Sequence, residues 1–514
     1  MTKGCLQESV LSILETFPEN QRFKLLTSIT TPSIVENLTL DPSQSNGQYL
    51  LETTQQRTCM LLATIATPQK TDLIPKTLKL QPPQNTLSLS DNNFCFVSGI
   101  QTREYIVYKS NNSDDILHQN KNAKLPNIDN NTHNSTSNNK NPNVQKKIEQ
   151  IIIYIEKIDS VGLDSKLISE NKPIVGYARA LVVGYLDYIY NHKYNNLDTE
   201  IFIYTYSKSQ PEYLFAESKA NPTKKILENQ LLNNWWQHTL ELSMKYALNH
   251  LYASDKINSN NHLVLFSDNC KASVFIPNVE SCMIKWAINN IKTPVEPKTS
   301  EKFDKIKKFW KFEIPFASNK IASETLPCFP DDPISRLLGK EENKTATVNE
   351  IFELLAFTEE CGIGRQTAFF YIFAKTCKNN NCNNGDNSPN SCSVKGIDGW
   401  CATDGFISDE EMEKLNMILF DYKANFSNLE MSLKSTSSLL GQLEPYSLHS
   451  EALGKYNSGN VFEKLKILKS KLYLPPKNEV NMVSSKKRDS TQSVTNLNTV
   501  NLLAGSLIKR KKKN

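Results

Sequence analysis

The sequence predicts an α/β (α+β) fold: a central mixed sheet surrounded by helices, in a single large domain carrying disordered inserts. Three observations lead there. Runs of β-branched and aromatic residues alternate with segments whose apolar residues recur at helical spacing. The 514 residues are 39% hydrophobic, enough to pack a core, and Gly 17 with Pro 23 is too little for a collagen-like or wholly disordered chain. A long polar stretch also separates two strand-like runs that read as neighbours in one sheet.

The opening MTKGCLQESVLSILETF is broken by Glu and Ser before a signal-peptide core can form, and no run approaches the ~20 apolar residues of a membrane span. The expectation is a soluble intracellular protein whose 11 cysteines are thiols. The first 90 or so residues carry no motif used below. FCFVSGIQTREYIVY (94–108) and QIIIYIEKI (150–158) read as paired strands. Between them, residues 109–144 are an Asn-rich insert with too little apolar surface to offset ordering entropy.

Further strands are expected at IFIYTY (201–206), HLVLF (262–266), ASVFI (272–276) and TAFFYIFA (367–374). One helix presents Leu181, Gly184, Tyr185, Tyr188 and Ile189 on a single face, and a longer one presents Leu232, Trp235, Trp236, Thr239, Leu240, Ala247, Leu248 and Leu251. Ser408 with Glu411 forms a capping box opening another, and residues 425–439 continue as helix. The polar insert 376–403 holds Cys377, Cys382, Cys392 and Cys401 without a CxxC pair, so it reads as a loop with free thiols and no metal is expected. Residues 475–514 form a basic, partly disordered tail, with clusters at 486–488 and 509–513 flanking the apolar strip VNLLAGSLI. Net charge is only +5, so any basic function is local.

Four places suggest chemistry. Gly176 at a helix entry, with Arg179 in the first turn, suits an anion such as a phosphate, although an ordinary loop-to-helix junction fits the same residues. Lys224 and Lys225 precede the helix of Trp235 and Trp236; the two indoles point about 100° apart, so one is free to line a pocket. LPCFPDDPISR holds Asp331 and Asp332 between Pro330 and Pro333, a rigid turn that makes a candidate general base, or simply a surface turn. Asp159, at the end of the 150–158 strand, is a further carboxylate and also a natural turn residue.

Taken in order, EKIDSVGL, ARALVVGYL, PEYLFAESKANPTKKIL, WW, FPDDP, AFTEECGIGR and the tail VNLLAGSLIKRKKK resemble the fungal histone H3 acetyltransferases of the regulator-of-Ty1-transposition type. That family is distantly related in structure to CBP-type acetyltransferases. The likeness runs discontinuously over residues 150–439 plus the tail. It implies an acetyltransferase-like fold over residues 1–474 and transfer of acetyl from acetyl-CoA to lysines of histone H3 (as H3–H4), chiefly a core-domain lysine at the DNA entry site and also tail lysines.

By the same resemblance Asp332 is the proton acceptor, with Asp331 orienting substrate. Tyr213, Trp236 and Phe329 wall a lysine tunnel, and Asp159 lies near the acetyl end. The coenzyme side comprises Ile158, Asp159, Ser160, Val175, Gly176, Tyr177, Ala178 and Arg179. It continues through Tyr206, Gln210, Lys224, Lys225, Ile226, Leu227 and Trp235. The partners implied are histone chaperones of the nucleosome-assembly and anti-silencing types, in the nucleus, with roles in chromatin assembly, the DNA-damage response and genome stability. No membrane partner and only indirect nucleic-acid contact are expected.

One departure stands out: relatives carry a self-acetylated lysine two residues beyond the second aspartate, where this chain has Ile334. It motivates an alternative, a catalytically impaired scaffold that binds acetyl-CoA and chaperone. A nucleic-acid binder using the tail is a third reading. No cysteine matches the family's catalytic motifs, so the expected mechanism is sequential, without an acyl-enzyme.

Overall fold

The computed structural model describes residues 6–19, 21–35, 51–65, 94–109, 147–163, 175–194, 199–253, 271–277, 279, 310–361, 365–375, 406–420 and 423–455. All lie within the compact unit Met1–Tyr473. The expected strand at 262–266, both polar inserts and the basic tail lie outside the described residues.

In chain order the elements are α1 (Leu6–Leu14), β1 (Arg22–Thr30), β2 (Ser33–Val35), β3 (Leu51–Ile65), β4 (Phe94–Lys109) and β5 (Lys147–Ser160). Next come α2 (Tyr177–Tyr188), which runs into a π-helical turn (Ile189–Lys193), then β6 (Glu200–Ser207), α3 (Asn229–Ala253), β7 (Lys271–Phe275) and β8 (Trp310–Lys311). The last third holds α4 (Ala322–Thr325), α5 (Pro333–Leu338), α6 (Val348–Leu355), β9 (Ala368–Lys375), β10 (Phe406–Ile407), α7 (Asp409–Leu419), α8 (Leu429–Leu443) and β11 (Leu448–Leu453).

Among the described residues eleven strands make one mixed sheet in the spatial order β10, β1, β3, β4, β5, β6, β9, β7, β8, with β2 beside β3 and β11 beside β1. As the sequence suggested, β4 and β5 flank the Asn-rich insert as antiparallel neighbours, Ile106 opposite Ile151. The first 65 residues, opaque in sequence, supply two of the longer strands of that sheet.

The two-residue period of strands sorts the side chains onto two faces. Ile151, Ile153 and Ile155 of β5, Ile201 and Ile203 of β6 and Phe370 and Ile372 of β9 join α1, α2 and α3 in the largest core. Tyr154 and Tyr204 point the other way and meet Phe329. On that second face α7 and α8 cover one end with Phe94, Phe96, Leu61 and Phe215, and α4 to α6 cover the other with Tyr206, Phe275 and Phe369.

Two junctions differ from the sequence reading. The final long helix begins at Leu429, not at 425: Asn428 caps it by accepting from Met431 N–H, while Asn425 Oδ1 accepts from the backbone and hydroxyl of Ser427 in an Asx turn. The helix containing Tyr188 and Ile189 changes to π geometry at Ile189, where Lys193 buries its ammonium against Glu104 of β4 and Gln56 of β3. The capping box of Ser408 and Glu411 is present as read. None of the described helices is long and apolar enough to cross a membrane.

The β5, α2, β6 segment places the candidate site. β5 and β6 are parallel, Ile151 opposite Ile201, so the helix between them runs back against the sheet. Its N-terminus therefore lies at the carboxyl ends of both strands, the end at which ligands of such units collect.

Candidate active site

The Pro-Asp-Asp-Pro run is the entry to α5. Pro333 takes the first helical position, where its missing N–H leaves nothing unsatisfied, and Asp332 is the N-cap, its Oδ1 accepting from Ile334 N–H at 3.0 Å. Asp331 sits at φ 60°, in the left-handed region that Asp tolerates better than most residues. That kink parts the two carboxylates. Asp332 is 4% exposed, whereas Asp331 faces solvent.

Asp332 borders a partly enclosed apolar cavity of about 40 Å³, walled by Tyr154, Tyr204, Tyr206, Phe329, Ile334 and Tyr371 among others. Phe329 stacks on Tyr154 at 4.3 Å with planes 6° apart and touches Tyr204 at 5.2 Å. Burial pushes the Asp332 carboxyl up to about 7 and the charge of Glu360 adds to the rise, although the Ile334 N–H and the Arg336 charge pull against it. A carboxylate titrating there is poised to take protons near neutral pH. Tyr213 is half-buried, and its hydroxyl is driven up by burial and by the charges of Asp331, Glu360 and Asp159, so it stays protonated.

Asp159 is placed differently from its expected role. Its Oδ2 accepts from the backbone N–H groups of Tyr213, Leu214 and Phe215 at 2.8, 2.9 and 3.4 Å. Its Oδ1 accepts from Ser160 N–H and from the Lys224 ammonium, at 2.7 and 2.8 Å. These five donors engage both of its oxygens, and the carboxylate holds the 213–215 turn in place. Lys224 is corrected likewise: its side chain is 6% exposed, bound to Asp159 and to Ser218 Oγ, and does not reach out to a phosphate. Gly162 permits this arrangement. At φ +82° its missing Cβ would stand 2.3 Å from Lys224 Cα.

The start of α2, where an anion site is expected, is open. Gly176 is exposed, makes no side-chain cap, and a Cβ there would meet nothing within 4 Å, leaving the first N–H groups of a 12-residue helix open to approach. Val175 beneath is buried, and Tyr177 and Ala178 are half-buried. Arg179 donates from Nε to Thr239 Oγ1 at 3.0 Å and lies 5.6 Å over the Trp235 ring. No carboxylate among the described residues forms an ion pair with it, and burial lowers its guanidinium to about 10.

Of the tandem tryptophans, Trp236 is 4% exposed within the main core and Trp235 is half-buried against it, edge to face at 5.0 Å. Trp236 is therefore on the opposite sheet face from Phe329 and is not part of the cavity wall. Tyr206, expected on the coenzyme side, instead lines that cavity beside Asp332. Ile158 and Ser160 are half-buried at the end of β5, Leu227 accepts from Ser209 Oγ, and Gln210, Lys225 and Ile226 are exposed.

Sequence reading missed Tyr154, the floor under Phe329, although its alternation with the isoleucines of β5 marks it as facing the other way. It also missed Glu360 and Lys208, whose pairing spans 152 residues and has no local signal. Among the described residues no cluster of three or more His, Cys, Asp or Glu could hold a metal ion.

Residues 11–489 match the model of the histone acetyltransferase KAT11-type domain, nearly the whole chain. The chain belongs to this family. The histone acetyltransferase rtt109 of Schizosaccharomyces pombe is 28% identical over 231 residues, 45% of this chain and 54% of that protein. The enzyme of the same name from Aspergillus flavus is 20% identical over 246 residues, 43% of this chain and 41% of that one. The chain thus spans about half the length of the curated relatives it matches. The crystal structure of Rtt109 from Aspergillus fumigatus shares the fold, with a TM-score of 0.53 at 14% identity over 87% of this chain and 99% of that one.

Proposed function

We infer that this chain transfers acetyl from acetyl-CoA to lysine side chains of histone H3, at the core-domain lysine of the DNA entry site and at tail lysines. Family membership supports the reaction class, and the buried Asp332 beside an aromatic cavity is the observation that carries it. A lysine ammonium with pKa ~10.4 is neutral in only about one molecule in 2,500 at pH 7. Asp332, with its carboxyl at about 7, would take that proton; the neutral amine then attacks the thioester carbonyl, the C–N bond forms, the C–S bond breaks, and coenzyme A leaves as a thiolate that takes up the proton shed by the new amide nitrogen. Tyr154, Phe329 and Tyr206 would sheath the aliphatic stem, and Asp331 at the rim would meet the incoming charge.

On the other side of β5 and β6, Gly176, Tyr177, Ala178 and Arg179 would take the pyrophosphate, with Ile158, Ser160, Lys225, Ile226, Leu227 and Trp235 along the arm. The half-buried guanidinium without a carboxylate and the open helix start support that placement. Cys328, whose thiol feels the Asp332 charge, is pushed up by burial and by that carboxylate, which favours direct transfer over an acyl-enzyme. Nuclear residence, histone chaperones of the two types named above, and roles in chromatin assembly and the DNA-damage response complete the reading. The Lys-rich tail suits an acidic chaperone.

Radiolabelled acetyl transfer to H3–H4 with chaperone present tests it. Asp332→Asn should lower the rate about 10²-fold or more, and transfer at the unmutated level would remove Asp332 from the role. The scaffold alternative draws on Ile334, which lines the cavity where relatives carry lysine. Calorimetric binding of acetyl-CoA by a chain that transfers nothing would favour it.

A further inference from the structure

We propose that Glu360 is a positioning residue for acetyl transfer: by pairing with both Lys208 and Arg336 it fastens the Asp332 helix to the end of β6 and keeps the Arg336 guanidinium away from the Asp332 carboxylate. The proposal deepens the acetyltransferase reading and rests on it for its meaning, though not for its test.

The geometry is specific. Lys208 directly follows β6 and donates to Glu360 Oε1 at 2.8 Å, while Arg336 Nη2 donates to Oε2, so one carboxylate bridges two elements. Arg336 is one helical turn beyond Asp332, its N–H donating to the Asp332 carbonyl at 3.2 Å, and its charge acts on the Asp332 carboxylate. The bridge is itself anchored: the adjacent Cys361 Sγ accepts from Thr367 Oγ1 at 3.0 Å and lies 3.6 Å from Tyr206 Oη. Burial raises Glu360, but the hydrogen bond and charge of Lys208 and the charge of Arg336 override it and hold the group ionised.

The tyrosines and the thiol around Asp332 are neutral. Tyr154 of β5, Tyr204 and Tyr206 of β6 and Tyr371 of β9 share its cavity, and burial drives all four hydroxyls up; Cys328 is raised as well. Asp331 beside it faces solvent. Arg336 and Glu360 are the charges that act on Asp332, with opposite signs.

The test uses the full chain with Glu360→Gln, Arg336→Gln and the double variant. In acetyl transfer to H3–H4 the acidic limb of the pH profile should move down by about one unit in Glu360→Gln, move up in Arg336→Gln, and return near its original place in the double variant. A rate loss in Glu360→Gln with the limb unmoved would mark a merely structural role and overturn the proposal. A second readout needs no activity: the difference in Tm between each chain and its Asp332→Asn counterpart, followed from pH 4 to 9, reports where Asp332 titrates. That midpoint should fall in the Glu360→Gln background; an unchanged midpoint rejects the inference. If Asp332→Asn retains full transfer, the acetyltransferase mechanism fails while the thermal midpoint still decides the role of Glu360.

Discussion

At the residue scale two buried carboxylates near one end of the sheet have opposite fates because of their donors. Asp159 receives five hydrogen bonds, one from an ammonium, whereas Asp332 receives one side-chain bond from a backbone N–H and otherwise faces aromatic carbon. Only the second borders the aromatic cavity.

The linkage has a definite sign. With its carboxyl raised from 3.8 to about 7, folded Asp332 keeps a proton that the unfolded chain has released. Its contribution to stability is thus full below about pH 4 and is lost as pH rises through 7, and on the proposed role acetyl transfer should rise over the same interval. Lys224→Met should be destabilising by about 3–5 kcal/mol, since it strands a buried charge, and a urea melt measures it. Arg179→Ala should instead leave the melt nearly unchanged and raise KM for acetyl-CoA about tenfold, with kcat within twofold.

At the element scale, close approach decides where substitutions fail. α1 crosses α2 at Gly184, where an added Cβ would come 2.7 Å from Val10 Cα, a backbone atom with nowhere to move. Gly184→Val should lower stability by roughly 1–3 kcal/mol or more through forced separation of the two helices. Chemical denaturation reads the loss, and Gly441→Ala, where nothing stands within 4 Å of the new Cβ, is the matched control. That crossing supports the start of α2, the proposed coenzyme end: Phe17, just after α1, stacks on Tyr177 at 5.3 Å, and Gln21 donates to the Tyr177 hydroxyl at 2.8 Å.

At the scale of the whole molecule, the sheet was legible in β5, β6 and β9, where β-branched and aromatic residues come in dense runs. β1 and β3 hid themselves. RFKLLTSIT and LETTQQRTCMLLATI mix Thr, Gln and Arg with apolar residues, and only pairing with β4 and β11 makes them strands. The site was legible in its local parts: the proline-locked aspartates, the glycine before α2 and the split of the tryptophans. Its long-range parts were not, since Asp159 and Lys224 are 65 residues apart and each taken alone suggests a ligand contact rather than their mutual pairing. Removal of residues 1–93 takes away β1, β2 and β3 and bares one edge of β4, so the truncated chain should show no cooperative thermal transition by circular dichroism.

The pairing of β1 with β11 bears on how the chain is made. Arg22 and Glu451, bridged at 3.1 Å across those strands, are 429 residues apart, so the outer border of β1 emerges from the ribosome long before its partner exists. At ordinary elongation rates the delay is about 20 to 90 s. During that interval nascent chains on neighbouring ribosomes can zip together along the bare strand, and slower translation of the last third should raise the insoluble fraction.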